Sequence, residues 1–150
     1  MLRLKLPTDP RWVNIAEKNI TEILTDHAFC EQKAASAAIS IIVQFPEYPD
    51  LVDAMTDLAR EEMEHFQRVH DQLKKRGLQL GYERKDPYVG DLRTFFKDKS
   101  GGRKQYLINT LLLAAMIEAR SCERFRVLSE NIADEELSSF YAELMKSEAM

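Results

Sequence analysis

The sequence predicts an all-α protein: a bundle of four long helices, with one long connection between the second and the third. Its 150 residues are 45% hydrophobic and include only 5 Gly and 5 Pro. A chain of this kind can bury a core, and it has few of the turn residues that many-stranded β proteins need. Apolar residues recur three or four apart along most of its length, which is the spacing of amphipathic helices.

The first helix is predicted to begin at Asp9, because Asp is a favoured N-cap and Pro10 suits the first helical position. Pro46 and Pro49 predict its end near Gln44, since proline cannot continue a helix. Between these points, apolar residues at helical spacing predict one buried face. They are Ile20, Leu24, Ala34, Ala38, Ile41 and Phe45.

The second helix is predicted to follow at once, with Asp50 as its N-cap and an apolar seam that reaches Leu73. The basic residues 74–76 suit the negative end of the helix dipole, and Gly77 suits the C′ position that ends many helices. The short turn between the first two helices predicts an antiparallel hairpin.

Residues 77–102 contain all five glycines, with at most a short helix at residues 92–96. This composition predicts a long connection rather than a second domain, so we expect residues 1–150 to form a single domain. The third helix is predicted at residues 103–130, and a tight turn at 131–134 leads into the fourth. The apolar stripe of the third helix is Ile108, Leu111, Ala115, Cys122 and Phe125.

Two helical hairpins joined by a long connection match a ferritin-like four-helix bundle with one crossover, between helices two and three. The alternative is an ordinary up-down bundle with an unstructured loop in the middle. The acidic residues of the seams favour the ferritin-like arrangement.

Each predicted helix places one glutamate on its apolar seam, where a carboxylate is costly to bury unless it is paired, protonated or bound to metal. These are Glu31, Glu62, Glu118 and Glu148. Each lies 12 to 14 residues from the turn of its hairpin, so their depths agree within about 3 Å. The acids Glu61, Glu64 and Glu123 lie off the seams and are interpreted as solvated surface.

A carboxylate from each of two helices and Glu-x-x-His from each of the other two form the ligand set of a di-iron or di-manganese bundle. His65 lies three residues after Glu62 and shares its helix face, so both side chains can reach one metal ion. Oxygen and nitrogen donors without thiolates suit iron or manganese rather than structural zinc. The alternative is a set of buried acids neutralised by Arg120 or Lys33.

Two features flank the predicted ligands. His27, one turn before Glu31, is expected to support the metal site without binding the ion, or to fill the core. A second Glu-x-x-His needs a histidine at position 151, directly after Met150. We therefore expect the sequence to be a truncated form of a longer protein, with histidine next and a longer fourth helix.

The net charge of −4 is unevenly distributed. Residues 74–104 carry ten basic and four acidic residues, a net charge of +6, which leaves −10 for the rest of the chain. Four aromatic residues are interleaved, so the segment is suited to holding phosphates and stacking an unpaired base. The alternative is a solvated loop. The basic residues are Lys74, Lys75, Arg76, Arg84, Lys85, Arg93, Lys97, Lys99, Arg103 and Lys104, and the aromatic ones are Tyr82, Tyr88, Phe95 and Phe96.

Cysteine usage and hydropathy indicate a cytoplasmic protein. Cys30 and Cys122 lack CxxC spacing and are interpreted as free thiols and small core residues in a reducing compartment. No stretch approaches 18 uninterrupted apolar residues, so no membrane span is expected. The first residues lack a long apolar run and a cleavage site, so no signal peptide is expected.

Four blocks of the sequence resemble the bacterial tRNA-(2-methylthio-N6-isopentenyladenosine) hydroxylase family. They are TDHAFCEQKAAS at 25–36, AREEMEHFQRVHDQLKKRG at 59–77, LLLAAMIEARSCERFRVL at 111–128 and FYAELMKSEAM at 140–150. LPTDPRWV near the N-terminus and DPYVGDLR in the connection are also similar to that family. The resemblance covers essentially the whole chain.

The resemblance implies a ferritin-like, non-haem di-iron monooxygenase that hydroxylates the isopentenyl side chain of a modified adenosine at position 37 of certain tRNAs. It implies two iron ions (manganese is the less expected metal), dioxygen as co-substrate, and an electron-donating reductase or ferredoxin. We also expect a monomer or weak dimer. The sixth ligand, a histidine, has no counterpart in this sequence. The iron ligands that the resemblance implies are Glu31, Glu62, His65, Glu118 and Glu148.

Two other functions compete with this one. The same ligands suit a ferritin-like iron-oxidising or peroxide-handling protein without an organic substrate. A metal-free helical interaction domain is the third possibility.

Overall fold

The computed structural model describes residues 4–85, 87–96 and 101–148. For residue 148 it describes the backbone but not the side chain. Six helices and no strand occur among these residues. The chain divides into two compact units, one formed by residues 19–85 and the other by residues 1–18 and 86–150. The helices are α1 (Trp12–Lys18), α2 (Ile20–Gln44), α3 (Pro49–Lys75), α4 (Pro87–Phe95), α5 (Gly102–Asn131) and α6 (Glu135–Glu148).

The unit of residues 19–85 is a hairpin of α2 and α3. The buried apolar residues of α2 include Leu24 and Ile41 together with three alanines, and they recur at the predicted helical spacing. Small side chains on a helix face let a neighbouring helix approach closely. On α3, Val69 and Leu73 are fully buried, and the polar residues Glu62 and His65 are buried as well. The three buried alanines of α2 mentioned above are Ala28, Ala35 and Ala38.

The ends of α3 show one correct and one wrong prediction. Gly77 has φ +66°, and the N–H of Leu78 donates to the carbonyl of Leu73 at 2.9 Å, as expected of a helix that ends with glycine at C′. The predicted N-cap Asp50 is wrong. The helix begins one residue earlier, at Pro49, after Tyr48, because proline is favoured in the first helical turn. Asp50 instead lies in the first turn, where its charge suits the helix dipole.

The first predicted helix is two helices. It is interrupted at Asn19, whose φ of −136° and ψ of 42° are not helical. Asparagine side chains compete for backbone hydrogen bonds and favour helix ends, which the periodicity of apolar residues does not reveal. The predicted start at Asp9 agrees better with the structure than the predicted continuity of the helix does. Oδ1 of Asp9 accepts a hydrogen bond from the N–H of Arg11, and its carbonyl oxygen accepts one from the N–H of Trp12.

The other unit contains α1, α4, α5 and α6. The second half of α5 packs against α6, and the rings of Phe125 and Tyr141 stack with their centroids 5.6 Å apart. Asp134 caps α6, since its Oδ1 accepts a hydrogen bond from the N–H of Leu137 at 2.9 Å. The predicted bounds of the third and fourth helices are therefore confirmed within one residue where they can be compared.

The predicted apolar stripe of α5 is buried only in its second half. Cys122 and Phe125 are buried, but Ile108 is 41% exposed and Ala115 is also exposed. The buried residues of α5 lie in the half that packs against the described part of α6, as the stacking of Phe125 on Tyr141 shows.

Contacts over long sequence distances fix the N-terminal segment and α4 to α5. Glu123 accepts hydrogen bonds from the N–H and the Oγ1 of Thr8 at 2.7 and 2.8 Å, and Arg120 also pairs with Glu123. The guanidinium of Arg120 lies 5.8 Å from the ring centre of Tyr88 on α4. The interpretation of Glu123 as solvated surface is therefore wrong, whereas Glu61 and Glu64 are exposed as predicted.

Within the ranges that the structure describes, no helix combines the length and the apolar character needed to cross a bilayer.

Candidate metal centre

Three of the predicted ligands meet inside the α2–α3 hairpin. Glu31 projects from α2, and Glu62 and His65 project from α3, one turn apart on the same face. Each offers one ligand atom, and these atoms all lie within 4.8 Å of one another. The exposed fractions are 5% for Glu31, 4% for Glu62 and 2% for His65, so the cluster is shielded from bulk water.

The chemistry of this cluster fits a divalent metal ion. Two carboxylates buried close together repel each other and have lost their hydration, and a divalent cation between them offsets both costs. Ligand atoms that bind one ion at about 2.0–2.2 Å are separated by at most about 4.4 Å, close to the spacing found here. Two oxygen donors and one imidazole nitrogen suit iron or manganese.

His27 directly supports Glu31. Its Nε2 lies 2.5 Å from Oε1 of Glu31, four residues further along α2, and both side chains are buried. This hydrogen bond restricts the rotamer of the carboxylate before any metal binds. The expectation that His27 supports the metal site without binding the ion stays a prediction.

The two remaining predicted ligands belong to the other unit. Glu118 lies on α5, and its Oε1 accepts a hydrogen bond from Sγ of Cys122 at 3.1 Å. The side chain of Glu148 lies outside the described residues.

In the alternative to a metal site, Arg120 or Lys33 neutralises the buried acids. Both of these cations pair with other acidic residues. Lys33 Nζ lies 2.9 Å from Oε1 of Glu83, and Arg120 pairs with Glu123.

Comparison with known proteins identifies the family. The family described as tRNA-(MS[2]IO[6]A)-hydroxylase (MiaE) matches residues 2–150. The chain belongs to this family. The predicted resemblance is therefore confirmed over nearly the whole sequence.

Two curated relatives of the MiaE family chain carry the same description, tRNA 2-(methylsulfanyl)-N(6)-isopentenyladenosine(37) hydroxylase. The one from Pseudomonas putida is 40% identical over 146 residues, which cover 97% of this chain and 69% of the relative. The one from Salmonella typhimurium is 28% identical over 200 residues, which cover 97% of this chain and 71% of the relative.

A solved structure has the same fold as the MiaE family chain. It is described as Protein 43 with aldehyde deformylating oxygenase activity from Synechococcus, with a TM-score of 0.91 and 38% sequence identity. The match covers 99% of this chain and 73% of that one. It confirms the predicted all-helical, ferritin-like fold class.

The predicted RNA-binding residues of the MiaE family chain fall into three groups. Arg84, Lys74 and Arg76 are engaged with neighbouring side chains: Arg84 with Asp26 and Glu22, Lys74 with Asp71, and Arg76 with Gln72. Lys74 and Arg84 are nevertheless exposed, as are the five residues of a second group, and Lys97 and Lys99 lie outside the described residues. The second group is Lys75, Lys85, Arg93, Arg103 and Lys104.

Sequence reasoning missed two contacts near the predicted site. One is the hydrogen bond from Cys122 to Glu118, although the spacing of four residues on one helix is a signal that points to it. The other is the attachment of the stretch at 81–84 to α2, which joins residues 50 to 62 positions apart in the sequence and leaves no local signal.

Proposed function

We propose that this protein hydroxylates the isopentenyl side chain of 2-methylthio-N6-isopentenyladenosine at position 37 of tRNA. The observation that carries the proposal is the buried cluster of Glu31, Glu62 and His65 in a chain of the MiaE family. The relative from Pseudomonas putida, which is described as a hydroxylase of this nucleoside, supports the choice of substrate.

The metal centre is proposed to hold two iron ions, with manganese as the second choice. Glu31, Glu62 and His65 would hold one of them, and Glu118 and Glu148 would complete the set of carboxylates. When bound, iron would supply the activation of dioxygen for attack on an unactivated C–H bond. A reductase or ferredoxin would supply the two electrons that this reaction consumes.

The residues of the chain have three tasks in this reaction. The carboxylates and the imidazole hold the metal, and His27 keeps the carboxylate of Glu31 in place through the 2.5 Å hydrogen bond. Burial of the cluster keeps bulk water away from the reacting groups. The exposed basic residues of the long connection would hold the phosphates of the tRNA. We infer a cytoplasmic enzyme, because its substrate is tRNA, and we propose a monomer or weak dimer.

The proposal is tested by mass analysis of tRNA nucleosides from cells that lack the protein. Loss of the hydroxylated isopentenyladenosine is expected, with accumulation of its precursor. Expression of the protein should restore the hydroxylated nucleoside, whereas the variants Glu62→Ala and His65→Ala should not. An unchanged nucleoside profile in the deletion strain would contradict the proposal.

Ferrous iron oxidation by the wild-type protein, measured beside the nucleoside profile, separates this function from iron oxidation or peroxide handling. A protein that oxidises ferrous iron but never alters the tRNA nucleosides would support the ferritin-like alternative.

A further inference from the structure

A short stretch after α3, the segment of residues 81–84, lies against α2 without helix or strand structure of its own. The N–H of Gly81 donates to Oγ1 of Thr25 at 3.2 Å. Glu83 pairs with Lys33 at 2.9 Å. Three of the four consecutive residues are attached to α2, with Arg84 as the third.

Arg84 makes the strongest of these attachments. Its Nε and Nη2 donate to the two carboxylate oxygens of Asp26 at 3.0 and 2.6 Å, and its Nη1 donates to Glu22 at 3.2 Å. A two-pronged contact between a guanidinium and a carboxylate fixes direction as well as distance. The segment is therefore held in one geometry on the surface of α2.

The segment is in contact with α2 at Gly81, where an added Cβ would lie 3.4 Å from Cγ2 of Thr25, an ordinary van der Waals distance. The side chain of Thr25 is buried beneath this part of the chain.

Tyr82 is the residue of the segment that is turned away from the helix. Its exposed fraction is 97%, although an aromatic side chain normally buries a large apolar area. Gly81 contacts α2 through its backbone N–H and Glu83 through its side chain, so the backbone beneath Tyr82 is restricted. An aromatic ring in solvent on a restricted backbone offers a stacking surface that loses less freedom on binding.

The charge near Tyr82 indicates the kind of partner. Residues 74–85 carry five basic residues and one acidic residue. Lys74 pairs with Asp71 and Arg84 with Asp26 and Glu22, and the exposed Lys85, three residues after Tyr82, adds positive charge close in sequence. Positive charge beside an exposed aromatic ring is the combination by which proteins hold unpaired nucleotides.

The metal cluster lies on the same hairpin. Thr25 precedes Glu31 by six residues of α2, which is about 9 Å along the helix axis. Tyr82 and the cluster therefore belong to the same part of the hairpin, with Tyr82 on the surface and the cluster buried.

We propose that Tyr82 stacks on an unpaired base of the tRNA loop that carries the modified adenosine. The proposal deepens the proposed function and rests on it for the choice of tRNA. It assigns Tyr82 to substrate binding, next to the metal centre but outside it.

The proposal is tested with an anticodon stem–loop RNA in which the fluorescent base 2-aminopurine replaces one loop nucleotide at a time. Because stacking quenches this base, the wild-type protein should quench it at one loop position, and Tyr82→Ala should abolish that quenching. Binding by Tyr82→Ala should be about tenfold weaker, and Tyr82→Phe, which keeps the ring, should bind as the wild type does.

Two controls separate stacking from a general loss of structure or charge. Tyr48→Ala removes an exposed tyrosine from the turn at the other end of the same hairpin and should leave both readouts unchanged. Tyr82→Ala should also leave the salt dependence of binding unchanged, since a ring contacts no phosphate.

Equal affinity of Tyr82→Ala and wild type for the RNA would overturn the proposal. So would an equal loss in Tyr48→Ala, or a change in the oligomeric state of Tyr82→Ala without a change in RNA binding. Hydroxylation of tRNA at the wild-type rate by Tyr82→Ala would refute the stacking role alone. Quenching by a wild-type protein that does not hydroxylate tRNA would instead refute the proposed function and leave the stacking role intact.

Discussion

At the scale of single residues, one predicted ligand in each unit is hydrogen-bonded to a residue of its own helix. Nε2 of His27 lies 2.5 Å from Glu31, and Sγ of Cys122 donates to Glu118 at 3.1 Å. In each pair the two residues are four apart on one helix, so the partner lies one turn from the carboxylate. A carboxylate held in one rotamer loses less freedom when a metal binds.

The contact between His27 and Glu31 predicts that His27→Ala weakens metal binding by about 10–100-fold, because the carboxylate loses its orienting partner. His27→Gln, which keeps a hydrogen-bonding group, should lose less. The measurement is a titration with ferrous or manganous ion, followed by calorimetry.

The matched control for this prediction is His70→Ala, which removes a histidine that stacks on Phe66 of α3. It should bind metal as the wild type does. Wild-type metal affinity in His27→Ala, with an unchanged circular dichroism spectrum, would contradict a supporting role for His27.

At the scale of helices, the bounds that periodicity and capping residues determine were predictable, and those that depend on distant contacts were not. The end of α3 follows from Gly77, and the start of α6 follows from Asp134. The interruption at Asn19 is set by backbone geometry that apolar spacing does not encode. The placement of Glu123 depends on Thr8, more than a hundred residues away, so local pattern could not predict it.

In the candidate site, too, the features set by local sequence pattern were predictable and those set by distant contacts were not. Glu31, Glu62 and His65 were predictable because each lies at a fixed position on an amphipathic helix. The attachment of Arg84 to Asp26 was not, because it pairs two charged residues that each look solvated in the sequence. The assignment of Arg84 to phosphate binding ignored this competing partner.

The pairing of the N-terminal segment with α5 predicts a pH-dependent stability. Burial alone raises the pKa of Glu123, but the hydrogen bonds from Thr8 and the charge of Arg120 outweigh burial and lower the pKa below its ordinary value. A carboxyl whose pKa is lowered by folding stabilises the protein above its unfolded pKa of about 4.3, and this stabilisation is lost as the pH falls through the folded pKa.

Glu123→Gln should therefore lower the free energy of unfolding by about 1–3 kcal/mol at pH 7, and the difference from wild type should shrink towards pH 3. Urea unfolding at several pH values measures this. The exposed Glu61→Gln is the control and should change little. A difference for Glu123→Gln that stays constant from pH 7 to pH 3 would refute the linkage.

At the scale of the whole molecule, the uneven charge of the chain predicts how it binds tRNA. Residues 74–104, the connection with its flanking helix ends, carry a net charge of +6 within a chain of −4. Arg84 is engaged with Asp26 and Glu22, so phosphate binding is expected mainly from the exposed basic residues. Lys85, Arg93 and Lys104 are three of these.

The combined variant with alanine at Lys85, Arg93 and Lys104 should bind tRNA more weakly, because fewer phosphates are neutralised on binding. The slope of log affinity against log salt should become shallower by roughly one for each phosphate that is no longer bound. Filter binding at several salt concentrations gives the slope. If the slope of the combined variant equals that of wild type, these residues do not bind phosphate and the connection is a solvated loop.

In the proposed function, a metal centre held by Glu31, Glu62 and His65 hydroxylates tRNA. This is tested with purified protein loaded with ferrous iron, a reductant, isotopically heavy dioxygen and tRNA that carries the isopentenyladenosine, followed by mass analysis of the nucleosides. We expect one heavy oxygen atom in the side chain of the modified adenosine with the wild-type protein, and none with His65→Ala. Absence of the hydroxylated nucleoside with the iron-loaded wild-type protein, or its undiminished formation by His65→Ala, would refute the proposed function.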